Sequence, residues 1–370
     1  MLIGLNDDKP SATSRMDLMR QRLDNHQFTN TSTQSAEDLV RWFGALQSQD
    51  LPMSLWAIGV RRPSLNQPAV ISAINKGEII RTHVLRPTWH LVAADDMHWM
   101  LQLTAQSIKN TLKSRHKQLE IDEPLLHQVY NLFSDSFKDL EFVSRQQLFD
   151  RLKSAGIALH DNRGAHFLLL AELDGLLCSG EVSKNETTYC LYEQRIKIKT
   201  KLSREEAIHR LTKLYFQSHG PATLEDFCWW SGLKKTEARQ GLASWHGDLE
   251  SIHLETATYY LFSKIQQAPL KDRPILLIPA YDEIIISYAD RSALLPTTIQ
   301  PQVISANGFF RPVIMLNGLV VGLWKIVKQK QSIKLEINWL KTPTNKNIKI
   351  ILEEISHYGQ FLELPVVYTT

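Results

Sequence analysis

Cysteine is scarce in this chain: Cys178, Cys190 and Cys228 are the only three in 370 residues. An odd number with no Cys-x-x-Cys pair indicates neither a disulfide framework nor a zinc knuckle, and a reduced, cytoplasmic setting fits best. Long apolar runs are also missing. None approaches the ~20 residues that a bilayer crossing needs, and the opening MLIGLNDDKPSATSRMDLMR has no adequate signal-peptide core or cleavage site, so neither membrane insertion nor export is expected. Nor does charge of one sign prevail. With 42 Lys and Arg against 39 Asp and Glu the formal charge is +3, which permits nucleic-acid binding without demanding it. The chain has no P-loop, Gly-x-Gly-x-x-Gly, Gly-x-Ser-x-Gly or His-Glu-x-x-His, which speaks against P-loop phosphoryl transfer, dinucleotide binding and zincin chemistry. His83, His90 and His98 are close in sequence, but their spacing matches no common ligand set, so no metal is expected.

What remains is ordinary globular composition, 43% hydrophobic and 22% charged, in a chain too long for one typical core. Its organising stretch covers residues 39–92. Helical spacing of Leu39, Val40, Phe43 and Leu46 ends in the polar step Gln47-Ser48-Gln49-Asp50, and Pro52 biases Leu51 away from the helical region, so a turn is expected at the glutamines. Helices over 53–60 and 67–75 follow, the second stopped by Gly77, and then β-rich runs over 79–85 and 88–92. Three helices and two strands in that order are the order of a winged helix.

Ahead of this stretch, residues 1–14 are polar, 15–23 can form a short basic helix, and 29–34 read as a connector to an N-cap at Ser35. After it, Asp95 can cap a helix over about 96–119 that carries Lys109, Lys113, Arg115 and Lys117. That stripe reads as a solvated face, with a phosphate-facing stripe as the alternative. The same order of signals restarts at Val143, with a Ser144-capped helix, a helix near 165–173, and two strands around a turn at 183–185. Residues 195–201 alternate basic and apolar side chains, as a lysine-protected edge or a linker does. A third pass starts at Ser203. Repetition of one order predicts an α+β fold of three tandem winged-helix units over 15–105, 143–200 and 201–268, with connecting helices over 106–142. Residues 269–370 then read as a β-rich, barrel-like unit built from PILLIPAYDEIIISY, FFRPVIMLNGLVVGLWKIV and SIKLEINWL. Asn317-Gly318 marks a type I′ hairpin turn, and a helix over 347–361 packs its Ile348, Ile351, Leu352, Ile355 and Tyr358 on the sheet.

Gln47 and Gln49 are the most suggestive polar pair. A glutamine amide is no general base near neutral pH, but it can orient a water, donate to a developing charge or bind a base edge or phosphate. That suffices for a substrate already primed to leave, such as an N7-alkylated purine, whose cationic base needs no acid. The competing interpretation is that both glutamines, with Ser48 and Asp50, merely satisfy groups at a helix end. Asp282 and Arg311 offer an acid and a base for a site, but the favoured reading is a structural ion pair within the β-rich unit.

Six separated segments carry a resemblance: Ala45-Leu-Gln-Ser-Gln-Asp50, Ile80-Arg-Thr-His-Val-Leu-Arg-Pro-Thr-Trp-His-Leu-Val92, Gly220-Pro-Ala-Thr-Leu-Glu-Asp226, Trp230-Ser-Gly-Leu233, Pro279-Ala-Tyr-Asp-Glu283 and Phe310-Arg-Pro312. In this order they resemble the bacterial winged-helix DNA glycosylases of the AlkZ and YcaQ types, which excise bulky N7-alkylated purines and unhook interstrand crosslinks. The resemblance implies a concave, basic surface for damaged double-stranded DNA, no cofactor, and a Gln-x-Gln motif falling on Gln47 and Gln49. These would position the water and stabilise the sugar as positive charge builds. Arg86, Thr88 and His90 would contact the DNA backbone or shape the pocket, and Arg311 is taken as a further DNA contact. One departure is Leu85-Arg-Pro-Thr-Trp-His90 where the family reads Met-Arg-Gly-Thr-Leu-His. Pro87 removes an amide donor there. A monomeric, monofunctional glycosylase is therefore expected, with a non-enzymatic winged-helix DNA-binding protein or regulator as the alternative.

Overall fold

The computed structural model describes residues 14–29, 34–183, 186–262 and 275–369. The expected polar start at 1–14 and the tip of the turn at 183–185 fall largely outside them, as do most of the 29–34 connector and the boundary at 268/269. Helix α1 (Arg15–Asn25) leads into α2 (Ala36–Phe43). Capping boxes start both: the Ser14 and Ser35 hydroxyls accept from the amides of Asp17 and Asp38, whose carboxylates reach back to the cap amides. Gly44, at φ 77°, ends α2 in a conformation costly for other residues. The expected turn is found only at the second glutamine, where the chain bends at Gln49–Asp50. Before it the chain runs extended as β1 (Leu46–Gln47). Pro52 does not delay the next helix. It sits in the first turn of α3 (Leu51–Gly59), where a missing N–H leaves no bond unmade, and Asp50 caps that turn through the Met53 amide at 3.1 Å. Then come α4 (Gln67–Asn75), β2 (Ile79–His83) and β3 (Trp89–Ala93).

The long helix α5 (Ala94–Gln118) has no side-chain cap, so the expected capping by Asp95 is not made. After it, α6 (Glu123–Asp135), α7 (Arg145–Ser154), α8 (Arg163–Leu173), β4 (Leu177–Ser183), β5 (Glu186–Leu191) and a short α9 (Tyr192–Arg195) follow. The next group is α10 (Arg204–Ser218), α11 (Leu224–Ser231), α12 (Lys235–Ala243), β6 (Leu249–Leu254) and β7 (Ala257–Phe262). A shared pairing recurs in the three passes. β1 pairs antiparallel with β3, giving the sheet order β1-β3-β2. At the equivalent places Val143 bridges Tyr189 on β5, and Ala222 bridges Tyr260 on β7. Each pass is thus helix, short extended segment, helix, helix, hairpin, with the short segment laid on the hairpin's second strand.

Beyond residue 274, β8 (Ile275–Ile278), α13 (Glu283–Ile286), α14 (Gln300–Val303), β9 (Val313–Leu316), β10 (Leu319–Lys328), β11 (Ile333–Trp339), α15 (Asn345–Leu362) and β12 (Val366–Thr369) complete the chain. The β texture expected through PILLIPAYDEIIISY stops at Ile278, because Asp282 caps α13 through the Ile284 amide at 2.9 Å. Asn317 and Gly318 take φ of 48° and 85°, as a type I′ turn requires. The strand order β12-β11-β10-β9-β8 forms a curled, half-barrel sheet, in keeping with the barrel-like expectation. β12, invisible as a short apolar tail, pairs parallel with β11. α15 buries Ile351, Ile355, Tyr358 and Phe361, while Leu352 faces outward.

The cores do not follow the repeats. One joins α2–α4 to the C-terminal sheet through Trp56, Ile278, Trp324 and Tyr358, another joins the first pass to the third through Trp99, Tyr215 and Trp230, and the second pass packs around Phe133, Leu148 and Phe167. At the first of these joints Gly59 is required, since a Cβ there would lie 2.5 Å from the Phe361 ring. The same joint holds Asp282. Its partner is not Arg311 but Arg61, in a two-pronged pair at 2.7 and 2.8 Å with both side chains wholly buried. Arg61 is already committed to the carbonyls of His26 and Ala57, so removing the carboxylate strands a buried cation. Asp282→Ala is expected to lower unfolding free energy by about 3–5 kcal/mol, read as a fall in the urea midpoint; a midpoint equal to wild type would contradict this.

Candidate active site

Residues paired across neighbouring strands share a face, and here the pairs Gln47↔His90 and Thr82↔His90 set three polar side chains in one row. The hairpin turn from Val84 to Thr88 brings a second polar group to that row. Leu85 takes φ 61°, an uncommon value for a bulky residue, and the Arg86 amide donates to Val84 O at 2.6 Å. Gly232, where a Cβ would sit 2.5 Å from Leu85 O, lets this turn seat against the end of α11. Arg86 Nη2 then donates to Gln47 Oε1 at 3.3 Å and Thr88 Oγ1 donates to the same oxygen at 3.4 Å. Gln47 is only 5% exposed. Its Nε2, however, has no partner among the described residues and is not among the sealed-in atoms, so the NH2 end stays open.

His90 donates from Nδ1 to Thr88 O at 2.9 Å, which leaves Nε2 as an acceptor without a partner, beside the equally unpartnered Thr82 hydroxyl. Burial, and then the neighbouring Arg86, push the imidazole down to about 3, so the ring is neutral at pH 7. It has no exposed surface. Burial lowers the Arg86 pKa and Glu283 opposes the shift; a guanidinium stays charged at neutral pH. Its guanidinium lies 5.8 Å from the ring centre of Trp229, and Arg291 lies 5.3 Å from the same ring.

Gln49 differs from Gln47. It is exposed, accepts from the Trp89 amide at 3.5 Å, and stands at the rim of a cavity of about 460 Å³ lined by His83, Trp89, Arg145, His166 and Tyr189. Asp50, the next residue, lines a second cavity of about 650 Å³ with Met53, Phe309, Arg311 and Trp324. The structure therefore brings Gln47, Arg86, Thr88 and His90 together and leaves Arg311 on the far side of the Gln49–Asp50 step. Arg311 is exposed, and its guanidinium has no partner among the described residues. Duty at the helix end falls to the other two polar residues of the step. Asp50 caps α3, and Ser48 binds Ser54 Oγ at 2.8 Å and accepts from Arg81 through its carbonyl at 2.8 Å. The three nearby histidines take separate partners: His83 pairs with Glu172 at 2.6 Å, His98 with the Tyr192 hydroxyl at 3.0 Å, and His90 with Thr88 O. Among the described residues no group of three metal-type side chains forms.

Glu283 was not singled out from spacing, although it ends the Pro279–Glu283 segment. Its Oε1 accepts the Gln47 backbone N–H at 2.6 Å; its Oε2 accepts from Trp230 Nε1 at 3.1 Å, from Ser287 Oγ, and lies 3.4 Å from His219 Nε2. Burial alone would raise this carboxyl, but His219 and Ser287 outweigh it and hold the group at about 2, ionised.

An open amide thus stands beside a cationic turn, with a cavity on each side of the Gln49–Asp50 step. The profile described as DNA glycosylase AlkZ-like matches residues 40–361, and the chain belongs to that family. An interstrand DNA cross-link repair glycosylase of Streptomyces sahachiroi is 25% identical over 322 residues, covering 82% of this chain and 86% of that protein. The solved structure of Streptomyces sahachiroi DNA glycosylase AlkZ has a TM-score of 0.78 at 20% identity, covering 97% of this chain and 100% of that one, a likeness of fold.

The neutral His90 has a pH consequence. An unfolded imidazole titrates near 6.5, so between there and about 3 the unfolded chain binds a proton that the folded chain refuses. The contribution is full above about pH 6.5 and falls as pH drops, by about 2 kcal/mol from pH 7 to 5. Buried His26 and His219 shift in the same direction. His90→Asn should flatten the stability–pH slope over that range in urea melts; an unchanged slope would refute the buried neutral ring.

Proposed function

We propose that the three passes are winged helices and that the chain hydrolyses the N-glycosidic bond of bulky N7-alkylated purines, including crosslinked ones, in double-stranded DNA. The recurring pairing of a short extended segment on each hairpin's second strand supports the winged-helix assignment. On this assignment α6 serves as the first helix of the second unit, which then begins ahead of residue 143. The chain works as a monomer in the cytoplasm, where its three free cysteines would stay reduced.

The observation that carries the reaction is the state of Gln47: its carbonyl is gripped by Arg86 and Thr88 while its NH2 remains open. Such an amide holds a water oxygen without titrating. Gln49 stands exposed two residues further, at a cavity large enough for a flipped purine. In an N7-alkylated purine nucleotide the C1′–N9 bond breaks with its electron pair moving to the cationic base, which leaves neutral. Positive charge passes to the sugar, water bonds to C1′, and its proton goes to solvent. Arg86, Thr88 and His90 hold Gln47 and shape the pocket, and Arg311 serves the DNA from the neighbouring cavity.

Purified protein should release N7-methylguanine or a nitrogen-mustard adduct from duplex DNA. Gln47→Ala and Gln49→Ala should each slow release by about 10- to 100-fold, within the range for a single electrostatic or positioning group, with the thermal midpoint preserved. Duplex binding with steep salt dependence but no base release from any of these lesions would favour the non-enzymatic DNA-binding alternative.

A further inference from the structure

Gln47 lies on a strand only two residues long, and its backbone geometry dictates what it needs. In β1 the amide of the next residue, Ser48, already points at β3 and donates to Trp89 O at 2.7 Å. Backbone amides alternate along a strand, so the Gln47 N–H points away from the sheet, into protein. A buried amide without an acceptor is costly. The acceptor is Glu283, brought from the C-terminal region by α13, 2% exposed and fastened on its other oxygen by Trp230, Ser287 and His219.

Three regions of the chain therefore meet at one carboxylate: Gln47 from the first pass, His219 and Trp230 from the third, and α13 from the sheet region. Glu283 also offers a negative charge to Arg86, the side chain that reaches Gln47 Oε1. The neighbouring carboxylates do not do this, since Asp50 caps α3 and Asp282 is consumed by Arg61. Both glutamines are neutral. Glu283 is thus the fixed anion one hydrogen bond behind the group that faces the developing sugar cation.

We propose that Glu283 is the positioning residue of the site, resting on the glycosylase assignment above: it fixes the backbone from which the Gln47 amide projects and supplies the negative charge that balances Arg86 and the reacting sugar. It does not touch substrate. Because it acts through Gln47, its effect must vanish when the Gln47 amide is gone, which a general contribution to folding would not do.

The test is single-turnover release of N7-methylguanine from duplex DNA, with enzyme in excess, for wild type, Glu283→Gln, Gln47→Ala and the double variant. Glu283→Gln is expected to slow release by about 10- to 100-fold, as loss of an orienting group typically does, with DNA affinity within about twofold of wild type. In the Gln47→Ala background the further loss should fall below about threefold. Should Glu283→Gln not fold, Ser287→Ala removes one of the donors to Oε2 and should show a smaller loss with the same dependence on Gln47. Release at the wild-type rate, a loss matched by lost DNA affinity, or a loss that multiplies in full with Gln47→Ala overturns the positioning role. A wild-type protein that releases no lesion at all overturns the glycosylase assignment itself, and this role with it.

Discussion

Two adjacent carboxylates, Asp282 and Glu283, are carried into the interior at the start of one short helix, and the architecture is arranged to satisfy them. A buried ion or acceptor without its partner costs several kcal/mol. Asp282 meets Arg61 from the end of α3, and Glu283 meets the Gln47 amide, Trp230 and Ser287. Because Gln47 and Arg61 lie more than two hundred residues before these carboxylates and Trp230 comes from the third pass, the first pass, the third pass and the C-terminal sheet are locked into one geometry. The apolar clusters agree with this. Trp56 donates its indole N–H to Leu277 O and Trp324 donates to Ile278 O, so both sides of the joint are fixed by packing and by hydrogen bonds.

The site inherits its order from that joint. A two-residue strand is a weak support by itself, yet Gln47 is held on its backbone by Glu283 and on its side chain by Arg86 and Thr88. In the proposed reaction, preorganisation of this sort lets neutral amides act on a substrate whose leaving group is already activated. Gln49 has no such harness. Among the described residues it meets only the Trp89 amide, at 3.5 Å, and stands open to solvent.

Much of this was legible in the sequence because local signals decide it. Ser35 and Ser144 announce capped helices, Asn317-Gly318 dictates its turn, and α4 begins and ends where its apolar spacing says it does. The errors have physical causes. Pro52 looked like a break because its bias on Leu51 was weighed without its tolerance in a first helical turn. β1 was missed because its pairing with β3 lies more than forty residues ahead, and β12 because a short exposed tail has no pattern until β11 receives it. The Gln-x-Gln pair could be found from its chemistry and from resemblance, but Glu283 could not: its importance is a long-range hydrogen bond, and nothing in the spacing of Pro279–Glu283 reveals which acid turns toward Gln47. Asp282 was assigned to Arg311 for the same reason, nearness in sequence standing in for nearness in space.

The central claim is that the Gln47–Glu283 arrangement is built to meet positive charge on a sugar. It is tested most directly by comparing affinity for two duplexes, one with a cationic pyrrolidine at the abasic position and one with neutral tetrahydrofuran. Mimics of a transition state bind more tightly than neutral analogues in proportion to the stabilisation a site provides. The account predicts a preference of about tenfold or more for the cation at constant salt, lost on replacing Glu283 with glutamine. Equal affinity for the two duplexes in the wild-type protein would contradict it.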